Sequence, residues 1–166
     1  MGIPDPSRAT KGKWINFENS TVGDGTKIWN FVNIYGSEIG ENCTIGSHVE
    51  IGKSKIGNNC KIEAFCFIPP GTTIGNNVFL GPRVAIANDK YPNADPFWNL
   101  GGVTIEDNVS IGMGAIILPG VTIGKGSFVA AGALVTRNVP PNGFAMGAPA
   151  HVVSRAVFER TEYHTE

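Results

Sequence analysis

Aliphatic residues recur at almost every sixth position along most of this chain. A small or β-branched residue lies two positions before each of them, and a spacing of two places both side chains on one side of a strand. The pattern therefore predicts many short strands, each followed by a turn, whose paired side chains face a common interior. The eighteen aliphatic positions are Val22, Ile28, Ile34, Ile39, Ile45, Ile51, Ile56, Ile62, Ile68, Ile74, Leu80, Ile86, Ile105, Ile111, Ile117, Ile123, Val129 and Val135.

Turn-forming residues support this interpretation, because the chain contains 22 glycines and 11 prolines. Three strands for each turn of chain predict an all-β prism of about six stacked coils, a parallel β-helix, within a single domain over residues 1–150. After the sequence "GAPA" the aliphatic spacing becomes helical. This change predicts a short C-terminal helix and tail over 151–166, with an apolar stripe formed by Val152, Val153, Ala156 and Val157.

One step interrupts the period, since Ile86 and Ile105 are 19 residues apart. The excess predicts a loop over 87–104, "ANDKYPNADPFWNLGGVT", that protrudes from the prism. Insertions into solenoids often lie on the binding face. Asn88 and Asp89 can exchange hydrogen bonds with a sugar, and Tyr91 and Trp98 can stack on a planar group. The alternative is a surface loop with no function.

Charge and hydrophobicity exclude several classes of protein. The formal net charge is −1, and charged residues make up 16% of the chain, which gives no basis for a nucleic-acid or membrane-surface partner. No apolar run approaches 18 residues, and no basic, apolar leader is present. We therefore expect a soluble, cytoplasmic protein.

The cysteines and histidines are predicted to be structural. Cys43, Cys60 and Cys66 occupy the small inward position, where a thiol packs in the core and a reactive thiolate would lack the open, electropositive setting that it needs. His48 falls on a turn, and the three histidines are too scattered to form a zinc triad of the kind found in β-helix carbonic anhydrases. No metal site is predicted.

The hexapeptide pattern over residues 20–150 resembles the left-handed parallel β-helix acyltransferases, and the left-handed coil is implied by that resemblance alone. The segments "TKIWNFVNIY", "KIEAFCFIPPG", "VFLGPRVAIANDKYP" and "DNVSIGMGAIILPGVTIGKGSFVAAGALVTRNVP", followed by "GAPA", narrow the resemblance. They are similar to nucleotide-sugar N-acetyltransferases, which acetylate the amino group of a UDP- or dTDP-linked aminosugar with acetyl-CoA as donor and no metal.

The resemblance implies an acceptor site beside the loop. Asn33 precedes an inward aliphatic residue and therefore points outward, on the face from which the loop departs. Asn33 and Asn88 are assigned to orienting the aminosugar, although both could simply stabilise turns. Asp89 or Glu63 is the candidate proton acceptor. The candidates for holding the diphosphate and base are Arg83, Lys90 and Tyr91.

The resemblance also implies that CoA lies along the outside of the prism between two subunits of a homotrimer. Small residues of the later coils, Gly112 and Ala130 among them, would let the pantetheine arm approach the backbone, although turn geometry alone could explain them. Lys125, Arg137 and Arg155 are the cations available to its phosphates, and Gly147 and Ala148 would neighbour the adenine. Outward apolar residues of the later coils support an interface: Phe67, Phe79, Met113, Ile116, Leu118, Phe128 and Leu134.

Two other classes of function stay open. "DPFWNLGG" faintly resembles the xenobiotic-type acetyltransferases, which would make the chain an O-acetyltransferase for a small hydroxyl or antibiotic acceptor. Those enzymes carry a catalytic histidine in the corresponding loop, and residues 87–104 contain none. The other class is a non-catalytic β-helix scaffold, which would not need the polar and aromatic groups of the loop.

Overall fold

The chain coils into a prism whose walls are short β-strands. The computed structural model describes residues 10–94 and 100–153. The strands are β1 (Thr10–Lys11), β2 (Asn16–Glu18), β3 (Thr21–Val22), β4 (Lys27–Ile28), β5 (Asn33–Tyr35), β6 (Glu38–Ile39), β7 (Thr44–Ile45), β8 (Glu50–Gly52), β9 (Lys55–Ile56), β10 (Lys61–Ile62), β11 (Phe67–Ile68), β12 (Thr73–Ile74), β13 (Phe79–Leu80), β14 (Ala85–Ile86), β15 (Thr104–Ile105), β16 (Ser110–Ile111), β17 (Ile116–Ile117), β18 (Thr122–Ile123), β19 (Phe128–Val129), β20 (Leu134–Val135), β21 (Phe144–Met146) and β22 (His151–Val153).

Successive strands belong to different sheets, and every third strand pairs with the strand one coil earlier. Face A has the order β1-β4-β7-β10-β13-β16-β19-β21-β22, face B the order β2-β5-β8-β11-β14-β17-β20, and face C the order β3-β6-β9-β12-β15-β18. All strand pairs are parallel except β21 with β22. The predicted left-handed β-helix is therefore confirmed, with about seven turns.

The core lies along the axis of the prism, as the sequence pattern predicts. All eighteen aliphatic residues are buried, and so are seventeen of the eighteen small residues two positions earlier. The exception is Ser20, which is half-buried in the first turns. Parallel in-register stacking places each aliphatic side chain directly over its counterpart in the next coil, so burial of apolar surface and ladder formation favour the same register.

The cysteines pack in this core, as predicted. Cys43, Cys60 and Cys66 are buried free thiols. Burial raises the pKa of the Cys66 thiol to about 11, because the charged thiolate is poorly solvated there. The backbone N–H of Cys60 donates to the Cys43 sulfur at 3.4 Å, so this pair takes part in the hydrogen bonding between coils.

The structure has one coil more than the aliphatic series predicts. β1, β2 and β3 form a coil whose inner side receives Ile15 and Phe17, both partly buried against the core. These larger side chains do not follow the pairing of an aliphatic with a small residue. The six-residue period consequently reveals only Val22 of this coil.

The predicted C-terminal helix is wrong for residues 151–153. His151–Val153 forms β22, which runs antiparallel to β21. Before it, Gly147 and Ala150 hydrogen-bond to Leu134 of β20, which extends face B beyond its last strand. β21 pairs with β19 on one side, and its other side offers backbone hydrogen-bonding groups. Pairing with those groups favours a strand here over the helix that the apolar spacing predicts. The rest of the predicted helix, with Arg155, Ala156 and Val157, lies outside the described residues.

The chain turns at three edges of the prism. The first edge joins face A to face B, the second joins B to C, and the third joins C to A. Face C carries polar outward residues in every coil, whereas faces A and B become apolar in the later coils. The outward residues of face C are Thr21, Glu38, Lys55, Thr73, Thr104 and Thr122.

Candidate active site

The loop between β14 and β15 departs from face B at the second edge, as predicted. Its two ends meet where Asp89 bridges Leu100 in antiparallel fashion and the Gly101 N–H donates to the Asn88 carbonyl at 2.8 Å. This neck fixes the first residues of the loop against the prism. Residues 95–99, which include the predicted stacking residue Trp98, lie outside the described part of the chain.

A cavity of about 460 Å³ lies at the root of the loop. Its floor consists of face B and its wall of the loop, so that apolar and polar surfaces lie opposite each other. The lining residues are Phe67, Ala85, Ile86, Ala87, Asn88, Asp89, Pro92, Asn93 and Ile116. Ala85 is flanked in the ladder by Phe67 and Ile116, and its short side chain opens the floor between them.

Asn88 and Asp89 are held in place by the backbone. The Asn88 amide donates through Nδ2 to the Pro70 carbonyl at 3.2 Å, and Asp89 Oδ1 accepts from the Tyr91 N–H at 2.9 Å. Both residues are half-buried. A carboxylate beside an anchored amide can orient an amine and accept its proton.

Lys90 and Tyr91 follow directly but do not line the cavity. The Lys90 ammonium lies 5.6 Å from the centre of the Tyr91 ring, and Tyr91 is 75% exposed. This cation and this ring face solvent beside the cavity mouth. The structure thus brings four of the predicted residues, Asn88, Asp89, Lys90 and Tyr91, into one neighbourhood.

Asn33 is on face B, as predicted, but not at this cavity. It lies three rungs from Ala85, about 14 Å at a strand spacing of about 4.8 Å, and accepts a hydrogen bond from Asn16 Nδ2 at 2.9 Å. A separate cavity of about 260 Å³ surrounds it, lined by Asn16, Glu18, Asn19, Asn33, Tyr35, Gly36 and Lys53. Within one chain, Asn33 and Asn88 are therefore not brought together.

Tyr35 at this second cavity was not singled out from the sequence. Burial, then the charge of Glu50 and a hydrogen bond with it, raise the pKa of the Tyr35 hydroxyl. Its ring lies over Gly52, where a Cβ would overlap the ring atoms. The available signal in the sequence was the position of Gly52, one coil after the aromatic residue Tyr35.

Glu63 and Arg83 lie at the first edge, away from the loop. Glu63 pairs with Lys61 at 2.8 Å and lines a shallow cavity of about 340 Å³ with Trp29. The Arg83 guanidinium lies 5.8 Å from the centre of the Phe65 ring. Within one chain, neither side chain joins Asn88 and Asp89.

Arg83 ends a column of exposed rings on the first edge. His48 stacks between Phe31 and Phe65, with 4.9 Å between ring centres on both sides. His48 is a turn residue, as predicted, but the stacking was missed. A spacing of 17 residues through Trp14, Phe31, His48 and Phe65 was the available signal.

The predicted donor residues Gly112 and Ala130 are on the same edge, one and two coils beyond Arg83. A Cβ at Gly112 would lie 2.5 Å from the Ala131 nitrogen, so close packing of the coils alone requires this glycine. Gly114 and Gly132, with φ of 69° and 68°, are different, because a Cβ there would meet nothing within 4 Å. Their open side leaves room along the edge for an extended ligand.

The other predicted donor residues are distributed over all three edges. Lys125 is on the third edge, 3.9 Å from Asp107, and Arg137 is on the second edge beside a cavity of about 200 Å³ that His151 also lines. Gly147 and Ala148 are exposed in the turn after β21. Within a single chain these residues do not form one site.

Apolar side chains remain exposed on the faces that meet at the first edge. Phe67 and Ile116 on face B are 42% and 44% exposed, and Met113 on the edge is 52% exposed. No helix in residues 10–94 and 100–153 could span a bilayer. In the same described ranges, no cluster of His, Cys, Asp or Glu has the arrangement of a metal site.

The periodicity matches a known family model, described as bacterial transferase hexapeptide (six repeats), over residues 19–53, 53–88 and 102–137. The chain belongs to this family. The three matches cover strands β3 to β20, on both sides of the loop. Most of the loop, residues 89–101, falls in the gap between the second and third matches, so the repeat accounts for the prism and not for the loop.

Similar proteins with curated names are acetyltransferases that act on different atoms, oxygen or nitrogen. The galactoside O-acetyltransferase of Lactococcus lactis is 37% identical over 84 residues, which are 48% of this chain and 41% of that protein. The 2,3,4,5-tetrahydropyridine-2,6-dicarboxylate N-acetyltransferase of Staphylococcus aureus (strain MRSA252) is 40% identical over 85 residues, 51% of this chain and 33% of that protein. The chain thus spans less than half the length of these relatives.

A solved structure resembles a larger share of the hexapeptide chain. PerB from Caulobacter crescentus, crystallised in complex with CoA and GDP-perosamine, aligns with a TM-score of 0.60 and 26% identity. The alignment covers 81% of this chain and 57% of PerB. That protein binds CoA and a nucleotide-linked sugar.

Proposed function

We propose that the chain is an acetyl-CoA-dependent N-acetyltransferase that acts on the amino group of a nucleotide-linked aminosugar. The observation that carries this proposal is the cavity at the loop root, where Asn88 and Asp89 face an apolar floor. The likeness to PerB, which binds CoA and GDP-perosamine, supports both ligand classes. The names of the curated relatives support transfer of an acetyl group.

The chemistry needs positioning more than a strong base. The neutral amine nitrogen bonds to the thioester carbonyl carbon, the carbon–sulfur bond breaks, and the thiolate of CoA leaves. The amine proton passes to the Asp89 carboxylate or to the departing thiolate. Asn88, anchored on the Pro70 carbonyl, orients the acceptor. The increase in reaction rate comes from holding the amine against the thioester.

The nucleotide part extends from the cavity towards Lys90 and Tyr91. The ammonium group of Lys90 suits the diphosphate, and the exposed face of Tyr91 suits the base. Arg83 and Glu63 lie at the first edge and reach an acceptor at this cavity only from a neighbouring subunit. Asn33, with its own cavity on face B, is assigned to a more distant part of the same ligand.

The donor lies along the first edge, where Gly114 and Gly132 leave open space and where Gly147 and Ala148 are exposed further along. In a homotrimer, face A of one copy packs against face B of the next, because only these faces are apolar in the later coils. Three sites then form between subunits, and residues on different edges, such as Lys125 and Arg137, can act on CoA from different copies.

Release of the CoA thiol with a panel of UDP-, dTDP- and GDP-linked aminosugars tests the proposal. We expect turnover with at least one aminosugar, and we expect Asn88→Ala to lower kcat about 100-fold while CoA affinity stays unchanged. Asn108→Ala, on the third edge, is the matched control and should leave kcat as it is. Absence of turnover with every aminosugar, together with turnover of an alcohol, overturns the proposal.

O-acetylation of a small hydroxyl acceptor is the second candidate, because the chain is 37% identical over 84 residues to the galactoside O-acetyltransferase of Lactococcus lactis. A hydroxyl is a weaker nucleophile than an amine and needs a base in contact with it. Histidine is absent from residues 87–104. The same panel decides, because this candidate requires turnover of galactosides or other alcohols.

A further inference from the structure

A proline–glycine turn lies on each side of the loop along the second edge. The coil before the loop turns through Pro70 and Gly71, whose φ is 90°. The coil after the loop turns through Pro119 and Gly120, whose φ is 77°. The second-edge turns of the earlier coils contain no proline and are residues 19–20, 36–37 and 53–54. Because proline fixes φ, the two turns beside the loop have less conformational freedom than these.

The returning arm of the loop passes between the two turns through a pair of glycines, Gly101 and Gly102. A Cβ at Gly102 would lie 2.6 Å from the Gly71 carbonyl oxygen. A Cβ at Gly101 would lie 2.8 Å from the Pro119 Cβ. Neither Gly101 nor Gly102 has a positive φ, so a left-handed conformation does not explain them. Close approach to a turn on each side explains both.

Hydrogen bonds connect this arm to the residues of the cavity. The Gly120 N–H donates to the Gly101 carbonyl at 3.3 Å, and the Gly101 N–H donates to the Asn88 carbonyl at 2.8 Å. The Asn88 side chain donates in turn to the Pro70 carbonyl at 3.2 Å. Asn88 and Asp89 line the cavity. The two turns therefore hold the returning arm and, through it, the start of the loop.

We propose that Gly101 and Gly102 are positioning residues for acetyl transfer; this inference rests on the proposed function. Packed between the two proline–glycine turns, they set where Asn88 and Asp89 meet the acceptor amine. A methyl group on either glycine would push the arm away from one turn and move the Asn88 carbonyl with it. A displacement of about 1 Å is enough to lower a rate roughly 100-fold. The donor on the first edge would stay in place.

Gly102→Ala tests this proposal, because its methyl group meets a backbone oxygen that cannot rotate away. We expect kcat for the best aminosugar to fall about 100-fold while the KM for acetyl-CoA stays unchanged. Gly57→Ala on the third edge is the matched control, since its Cβ would lie 2.7 Å from the Gly75 carbonyl oxygen. It should lose similar thermal stability and keep its kcat. An equal loss of kcat in both variants overturns the proposal, and so does full kcat in Gly102→Ala.

Gly101→Ala gives a milder test, because its methyl group meets a side-chain atom of Pro119. We expect kcat to fall about 10-fold. Adding Pro119→Gly removes the opposing Cβ, so the double variant should recover most of the lost kcat. A double variant no more active than Gly101→Ala would show that the arm does not act through its contact with this turn, which contradicts the proposal.

Hydrogen exchange separates this inference from the proposed function, because it needs no substrate. The amides of Gly101 and Gly120 should lose protection in Gly102→Ala and keep it in Gly57→Ala. Unchanged protection in Gly102→Ala overturns the positioning role. If the unsubstituted protein acetylates no aminosugar, the proposed function fails whatever the exchange shows. If the unsubstituted protein is active and Gly102→Ala keeps its kcat, only the role of the glycine pair fails.

Discussion

The first and third edges of the prism share one backbone conformation and carry opposite side chains. Both edges turn through a residue with positive φ in every coil. On the third edge these residues are Gly25, Asn42, Asn59, Asn77, Asn108, Gly126 and Asn142. On the first edge they are Trp14, Phe31, His48, Phe65, Arg83, Gly114 and Gly132.

The difference separates what the fold requires from what the surface uses. Asparagine and glycine adopt positive φ at little cost, whereas a larger side chain costs about 1–2 kcal/mol. Stacking of Phe31, His48 and Phe65 returns about 0.5–1.5 kcal/mol for each pair, which offsets part of that cost. The residues of the third edge are thus explained by the turn conformation alone. The first edge carries aromatic and histidine rings in the early coils and glycines with open space beside them in the later coils.

The largest expected effect is a loss of activity with acetyl-CoA when a large side chain is placed on the first edge, at a glycine that now leaves open space. Gly114→Phe would place a ring in the space assigned to the donor, and we expect kcat/KM for acetyl-CoA to fall about 100-fold. Gly25→Phe makes the same change at positive φ on the third edge and should leave this constant unchanged. A Cβ at Gly25 would meet the Asn42 side chain, whereas one at Gly114 would meet nothing, so thermal melts check that each variant is folded at the assay temperature. Equal activity of the two variants would remove the donor from the first edge.

A smaller effect is expected when a ring is moved to the third edge. Asn59 has a φ of 58°, and Asn59→Phe should lower the free energy of unfolding by about 1–2 kcal/mol. Asn59→Gly should change it by less than about 0.5 kcal/mol, because glycine adopts this φ freely. Urea titration at fixed protein concentration measures both. If phenylalanine is tolerated as well as glycine, the rings of the first edge need no compensation and the contrast between the edges disappears.

The smallest expected effect is the coupling within the column of rings. His48→Ala, Phe65→Ala and the double variant form a cycle whose interaction energy in the free energy of unfolding should be about 0.5–1.5 kcal/mol. Asn42 and Asn59 occupy the corresponding positions on the third edge, and their alanine cycle is the control, with a coupling near zero. Additive effects of His48 and Phe65 would mean that the rings are neighbours without a stabilising contact.

The prism could be predicted from the sequence because its period is short and each coil repeats the same burial. Val22 to Val135 fix the interior, and Ile86 and Ile105 locate the loop. The C-terminal segment could not be predicted, because Val152 and Val153 suit a helix or a strand until the free edge of β21 is known. The first coil was missed since Phe17 replaces an aliphatic residue.

The candidate site was predictable only in part. Asn88, Asp89, Lys90 and Tyr91 are adjacent in sequence, so the loop alone brings them together. Asn33 was assigned correctly to its face, but its distance from the loop depends on how many coils lie between them.

The reversal of chain direction at β22 limits the stacking of further molecules on this end of the prism. A stack of parallel rungs is a template on which another molecule could add its own first rung, and repeated addition would produce a filament. On face A the stack ends with a strand that runs in the opposite direction to all the others, and on face B the turn from Gly147 to Ala150 occupies the next position. Within the described residues, a second molecule that arrives with parallel strands therefore meets a reversed strand on face A and an occupied position on face B at this end of the stack.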